Sequence, residues 1–149
     1  TARPPVLQWT VRRLLLPVLA LLVLGCKDPF AYEPHDPSLP DPPAAPTLVY
    51  PEQNRVFKYD KPYPREVTLQ WNAVPGADFY QVEVYTDSVL TEPNLYTPPI
   101  NYIRATGVSV SFRTYGFYYW RVRADNPRRW NALTDWSGVW RFALPNPAD

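Results

Sequence analysis

Five stretches of this chain alternate apolar and polar residues with a period of two, which constrains it to β-structure. Val67, Leu69 and Trp71 alternate with Glu66, Thr68, Gln70 and Asn72. Tyr80, Val82 and Val84 alternate with Gln81, Glu83 and Tyr85. Val108, Val110 and Phe112 alternate with Ser109, Ser111 and Arg113. Tyr118, Trp120, Val122 and Ala124 alternate with Tyr119, Arg121 and Arg123, and Trp140 and Phe142 with Val139 and Arg141. Side chains on a strand point to opposite faces in turn, so each run has one buried and one wet face. Residues 47–50 and a stretch near 96–104 supply two weaker strands. About seven strands in roughly a hundred residues, with no helical period, predict an all-β, seven-stranded antiparallel β-sandwich. Apolar residues at 46% and aromatics at 15% supply its core.

Three motifs carry a family resemblance. The run from Leu69-Gln70-Trp71-Asn72 through Val74-Pro75-Gly76-Ala77-Asp78 to Tyr80-Gln81-Val82-Glu83-Val84 resembles the second and third strands of a fibronectin type III domain. Tyr118-Tyr119-Trp120-Arg121-Val122-Arg123-Ala124 resembles the sixth strand, and Asp135-Trp136-Ser137-Gly138-Val139-Trp140 the approach to the seventh. The resemblance covers about two thirds of the chain. It implies an immunoglobulin-like sandwich with Trp71 as its central tryptophan. It also implies Tyr118 as a corner tyrosine whose hydroxyl bonds to upstream backbone. Pro93, Pro98 and Pro99 depart from the pattern by interrupting the fourth strand. Burying Trp71, Val82, Trp120 and Val122 should contribute about 1.5–3 kcal/mol each. The single cysteine leaves a small domain without a disulfide to add to that.

The N-terminal segment has a different character. Arg12 and Arg13 precede an apolar run over residues 14–24, and Gly25 and Cys26 follow. A charged flank, a short apolar run and a small residue form the layout of a secretory signal. As a helix the run reaches ~16 Å, about half of a bilayer core, so it is too short for a membrane span. Leu22-Val23-Leu24-Gly25-Cys26 resembles the lipobox of bacterial lipoproteins. That resemblance implies cleavage after Gly25, a lipid on the Cys26 thiol and membrane anchoring through it; two or three acyl chains hold stably where one is marginal. A plain signal peptide with an incidental cysteine and an uncleaved short anchor are the alternatives. Lys27, rather than an acid, follows the cysteine, which by sorting logic leans towards the outer membrane. The domain is then extracytoplasmic, with the periplasmic and exposed sides both open.

Between these parts, seven of the twenty residues from 27 to 46 are proline. Proline fixes φ and removes a donor, so an extended spacer is predicted, reaching ~60 Å. The expected organisation is a signal peptide over 1–25, a lipidated Cys26 and stalk over 26–46, the fibronectin type III-like domain over 47–145 and a tail over 146–149. His35, the only histidine, sits in the stalk. It is read as a solvated linker residue, with a metal contact beside Glu33 and Asp36 as the alternative.

No catalytic constellation stands out. The one cysteine is assigned to lipid, the one histidine to the stalk, and the carboxylates show no pairing by spacing. The chain is therefore expected not to be an enzyme and to use no cofactor or metal. From Lys27 onward twelve basic residues face fourteen acidic ones, without the basic stripe that nucleic-acid binding needs.

Recognition is expected in the loop over 126–135 and on the sheet face beside it. Arg128, Arg129 and Trp130 are of the types enriched at binding hot spots. Trp130 either projects as a platform or folds back onto the sandwich edge. Arg121 and Arg123 either brace the surface by stacking on Trp136 or contact an anion or polymer. Phe79, Tyr85, Phe117 and Tyr119 fall on outward phases, so they form an exposed patch or simply reflect the strand preference of aromatics. The expected function is a non-catalytic envelope lipoprotein displaying one module for protein–protein interaction. A carbohydrate-binding accessory module contacting polysaccharide, and a structural spacer without a dedicated ligand, are the alternatives.

Overall fold

The computed structural model describes residues 34–148. The expected signal peptide, Gly25, Cys26 and the first part of the stalk lie outside the described residues. Among the described residues there are eight strands: β1 (Leu48–Tyr50), β2 (Arg55–Val56), β3 (Arg65–Trp71), β4 (Phe79–Tyr85), β5 (Ile100–Ile103), β6 (Gly107–Phe112), β7 (Gly116–Asp125) and β8 (Trp140–Leu144). They form a three-stranded sheet in the order β1-β3-β6 and a five-stranded sheet in the order β2-β8-β7-β4-β5. The only other regular element described is a short 3-10 turn, Glu92–Asn94.

The alternating runs become strands because one face of each can be buried against the other sheet. Val67, Leu69 and Trp71 of β3 and Val110 and Phe112 of β6 meet Tyr80, Val82 and Val84 of β4 and Tyr118, Trp120 and Val122 of β7. Phe142 and Leu144 of β8 complete the layer. At one end Phe112 packs against Tyr118 at 4.5 Å and edge-on against Phe142 at 5.3 Å. Trp71 contacts Tyr80 at 5.3 Å, and the Tyr80 hydroxyl accepts the Val74 amide at 2.9 Å, tying the Pro75–Gly76 turn to the core.

Two expectations about the strands are corrected. The sandwich has eight strands rather than seven, and it is not wholly antiparallel, because β2 runs parallel to β8. The first edge of the sandwich is shared between the sheets. Proline at 51 has no N–H to continue a ladder. Beyond it the Arg55 amide turns back to the Glu52 carbonyl, and Phe57 N–H donates to Ala143 of the other sheet at 3.0 Å. Two residues are too few to display a period, which is why β2 has no signature in the sequence.

The β5 edge is irregular, as its prolines imply. Its register with β4 slips between Tyr80 and Val82. Tyr102 takes φ 59°, and its ring lies 5.1 Å from that of Phe79.

Candidate interaction surface

β7 organises the surface, because its two ends carry different features. Its ten residues span about 30 Å.

At the Asp125 end, residues 34–41 lie on the sandwich. His35 Nε2 is 2.7 Å from Asp125 Oδ1, and the two side chains are 6% and 9% exposed. Asn131 N–H donates to the Pro40 carbonyl at 2.9 Å, and its side-chain amide donates to Asp41 at 2.6 Å. His35 is therefore not a solvated linker residue. Composition marks this segment as a spacer and says nothing of a carboxylate ninety residues away. Asp36 accepts two bonds from Ser38 at 2.7 and 2.9 Å, which hold its carboxyl below the usual carboxylate range. Among the described residues no three His, Cys, Asp or Glu side chains gather into a metal-ligating group.

The loop after β7 is built by Asn126. Its carbonyl accepts the amides of both Arg129 and Trp130, and its side chain donates to the Gly76 carbonyl at 2.6 Å. This tight turn swings Trp130 inward, where it is 6% exposed and part of the core. Gly76, at φ +83°, lies beside the ring: a Cβ on it would stand 3.6 Å from the indole, an ordinary contact. The reading of Trp130 as a projecting platform is thus corrected; the same bulk that makes it a hot-spot type makes it a plug. Arg128 and Arg129 remain exposed beside it.

Along the upper half of β7, β8 is not a neighbour, since their pairing spans only Gly116–Trp120 on β7. The segment after the loop takes its place with hydroxyls. Thr134 donates its amide to Ala124 and accepts the Ala124 amide on its Oγ1, at 3.0 and 2.9 Å. Ser137 treats Val122 the same way, at 2.8 and 3.0 Å. Trp136, held between them, lies under the guanidinium groups of Arg121 and Arg123, at 4.2 and 4.3 Å. Arg121 also pairs with Glu83 at 2.7 Å, and Arg123 bonds Gln81 at 2.5 Å. These contacts make the two arginines a brace across β4, β7 and the loop.

The four aromatics expected on the outward phases do not form one patch. The Gln81–Arg123 and Glu83–Arg121 rungs separate Phe79 from the rest. Tyr85 is buried rather than exposed; its hydroxyl donates to Glu83 at 2.8 Å, and burial together with that carboxylate raises its pKa. Tyr119, opposite Tyr85 and Arg141 in register, is half-buried. Of the expected binding residues, Arg128 and Arg129 stay exposed at one end of β7, while Tyr85 is buried and Tyr119 half-buried near the other.

Among the described residues, the exposed aromatics Tyr59, Tyr115 and Phe117 gather at the Gly116 end of β7, while Tyr102 lies by Phe79 at the other. Val56, Tyr115 and Phe117 are each more than half exposed, and Tyr59 is 43% exposed. They line a trough of about 680 Å³ together with Ala143 and Pro145. Only Phe117 of these is marked by strand phase; the others lie in β2 or in loops, where no period exists. The core side of the same corner is held by Tyr118, whose hydroxyl donates to the Thr114 carbonyl at 2.8 Å.

No family model matches the chain, and no curated protein matches it. Among solved structures it is similar to an Fn3-like protein from Clostridium thermocellum, with 24% identity and a TM-score of 0.46 over 71% of this chain and 97% of that one. It is similar to the protein FN3tt, with 10% identity and a TM-score of 0.44 over 68% and 97%. It is similar to the fibronectin type III domain of human fibronectin type III domain containing protein 3, with 19% identity and a TM-score of 0.43 over 76% and 91%.

Proposed function

We propose that this chain is a non-catalytic lipoprotein of the cell envelope that displays one fibronectin type III-like module for protein–protein interaction. The anchor is a lipid on Cys26, the module is extracytoplasmic, and the outer membrane is its place. The observation that carries the reading is the distribution of features along β7. The chain comes in at the Asp125 end, where His35 and Asn131 fasten it. Tyr59, Tyr115 and Phe117, three of the exposed aromatic residues, stand at the other end, about 30 Å away. Such a module offers this exposed apolar surface to a partner.

The non-catalytic reading is supported by how the polar groups are used. His35 and Asp125 are spent on one another under cover, out of reach of a substrate. Glu83 is engaged by Arg121, and Asp78 by Arg104 at 3.2 Å.

The anchor is tested by blocking lipoprotein signal peptidase and by Cys26→Ala. A slower-migrating precursor and release of the variant from the membrane are expected. A variant still held in the membrane, or no precursor, overturns the lipid.

A further inference from the structure

We infer that the trough at the Gly116 end of β7 is a binding site for an acidic, extended polypeptide segment carrying an apolar side chain. This deepens the proposed function, and rests on it, by giving the module a surface and a class of partner.

The shape follows from strand order. β2 and β7 are the two neighbours of β8, so the walls of the trough stand about two strand spacings, or ~10 Å, apart. That leaves room for one extended chain between them, since neighbouring strands lie ~4.8 Å apart. Pairing of β8 with β7 stops at Leu144, and Pro145 has no N–H to prolong it. Tyr115 and Phe117 form one wall, Val56 and Tyr59 the other. An apolar centre walled by aromatic rings is the anatomy of a protein interface.

The charge sets the partner. None of the residues lining the trough is acidic, and Lys58 is among them without an ion pair to any described residue. Arg141 lies over the Phe117 ring at 5.2 Å, and its side chain bonds an amide oxygen, Asn54 Oδ1, rather than a carboxylate. The two acids nearest in sequence are already engaged, Asp60 by Arg65 at 3.0 Å and Glu52 by Arg55 at 3.6 Å. A partner with carboxylates flanking an apolar anchor complements this set.

The test pans a displayed library of short random peptides on the whole chain in detergent, beside Phe117→Ser, Lys58→Glu and the remote control Val89→Ser. Phe117 and Val89 are both exposed, so neither change removes core packing. Enriched peptides should be acidic with an aromatic or aliphatic anchor. Phe117→Ser and Lys58→Glu should each weaken them by about tenfold or more, with Val89→Ser unchanged. Added salt should weaken binding to the parent chain and to Phe117→Ser more than to Lys58→Glu. Enriched peptides insensitive to Phe117→Ser overturn the trough while leaving an interaction module. No enrichment at all overturns both.

Discussion

His35 Nε2 lies 2.7 Å from Asp125 Oδ1, joining the proline-rich lead-in to the last residue of β7. Both side chains are largely sheltered, so truncating one leaves the other short of a partner in a dry place. His35→Ala should cost about 1–3 kcal/mol in thermal unfolding. It should also open residues 34–46 to limited proteolysis while the sandwich stays folded. A variant with unchanged melting and unchanged cleavage would show the contact to be incidental.

Trp130 fills the space beside Gly76, so its truncation should act on stability. Trp130→Ala is expected to cost about 3–5 kcal/mol, in the range of Trp71→Ala. Gly76→Ala meets only ordinary contacts, but its φ of +83° is unfavourable for a side chain, so about 1–2 kcal/mol is expected there. Chemical denaturation of the three variants checks the order. A Trp130→Ala protein as stable as its parent would return the ring to the surface.

What the sequence makes legible is what repeats within a strand. The phases of Val67, Leu69 and Trp71, and of Tyr118, Trp120 and Val122, are enough by themselves to mark which side chains are buried. Arg121 and Arg123 fall on the opposite phase, beside a Trp-Ser motif, and they do stack on Trp136. What is not legible depends on where the chain returns. Trp130 is turned inward by hydrogen bonds to Asn126, not by any period. The His35–Asp125 pair joins segments ninety residues apart. The trough brings together three separate stretches, around residues 56–59, 115–117 and 143–146, none of which is unusual alone.

The brace around Trp136 separates a hydroxyl effect from a charge effect. Ser137→Ala leaves the Val122 amide without its acceptor at a buried position and should cost about 1–3 kcal/mol, nearly independent of salt. Arg121→Ala loses the Glu83 pair and the indole contact on a half-buried face. Its coupling to Trp136→Ala in a double-mutant cycle should be about 0.5–1 kcal/mol and should shrink as salt rises. Equal salt dependence of the two variants would refute this division.

Tyr118 makes stability fall at high pH. Burial raises its pKa above the ordinary 10.0, with the Thr114 hydrogen bond opposing that rise. The folded state therefore holds the phenol proton more tightly than the unfolded chain does. The resulting stabilisation is fully present below the unfolded value near 10.0 and is lost as pH climbs through the folded one. Tyr63 and Tyr85 are also raised, chiefly by burial, and act in the same direction. Tyr118→Phe should lose about 1 kcal/mol near neutrality, because the bond to the Thr114 carbonyl goes. Above pH 10 its unfolding free energy should decline less steeply than the parent's. Denaturation series across the alkaline range measure both slopes. Parallel curves for the two proteins would mean that Tyr118 ionises in the folded state as readily as in the unfolded chain.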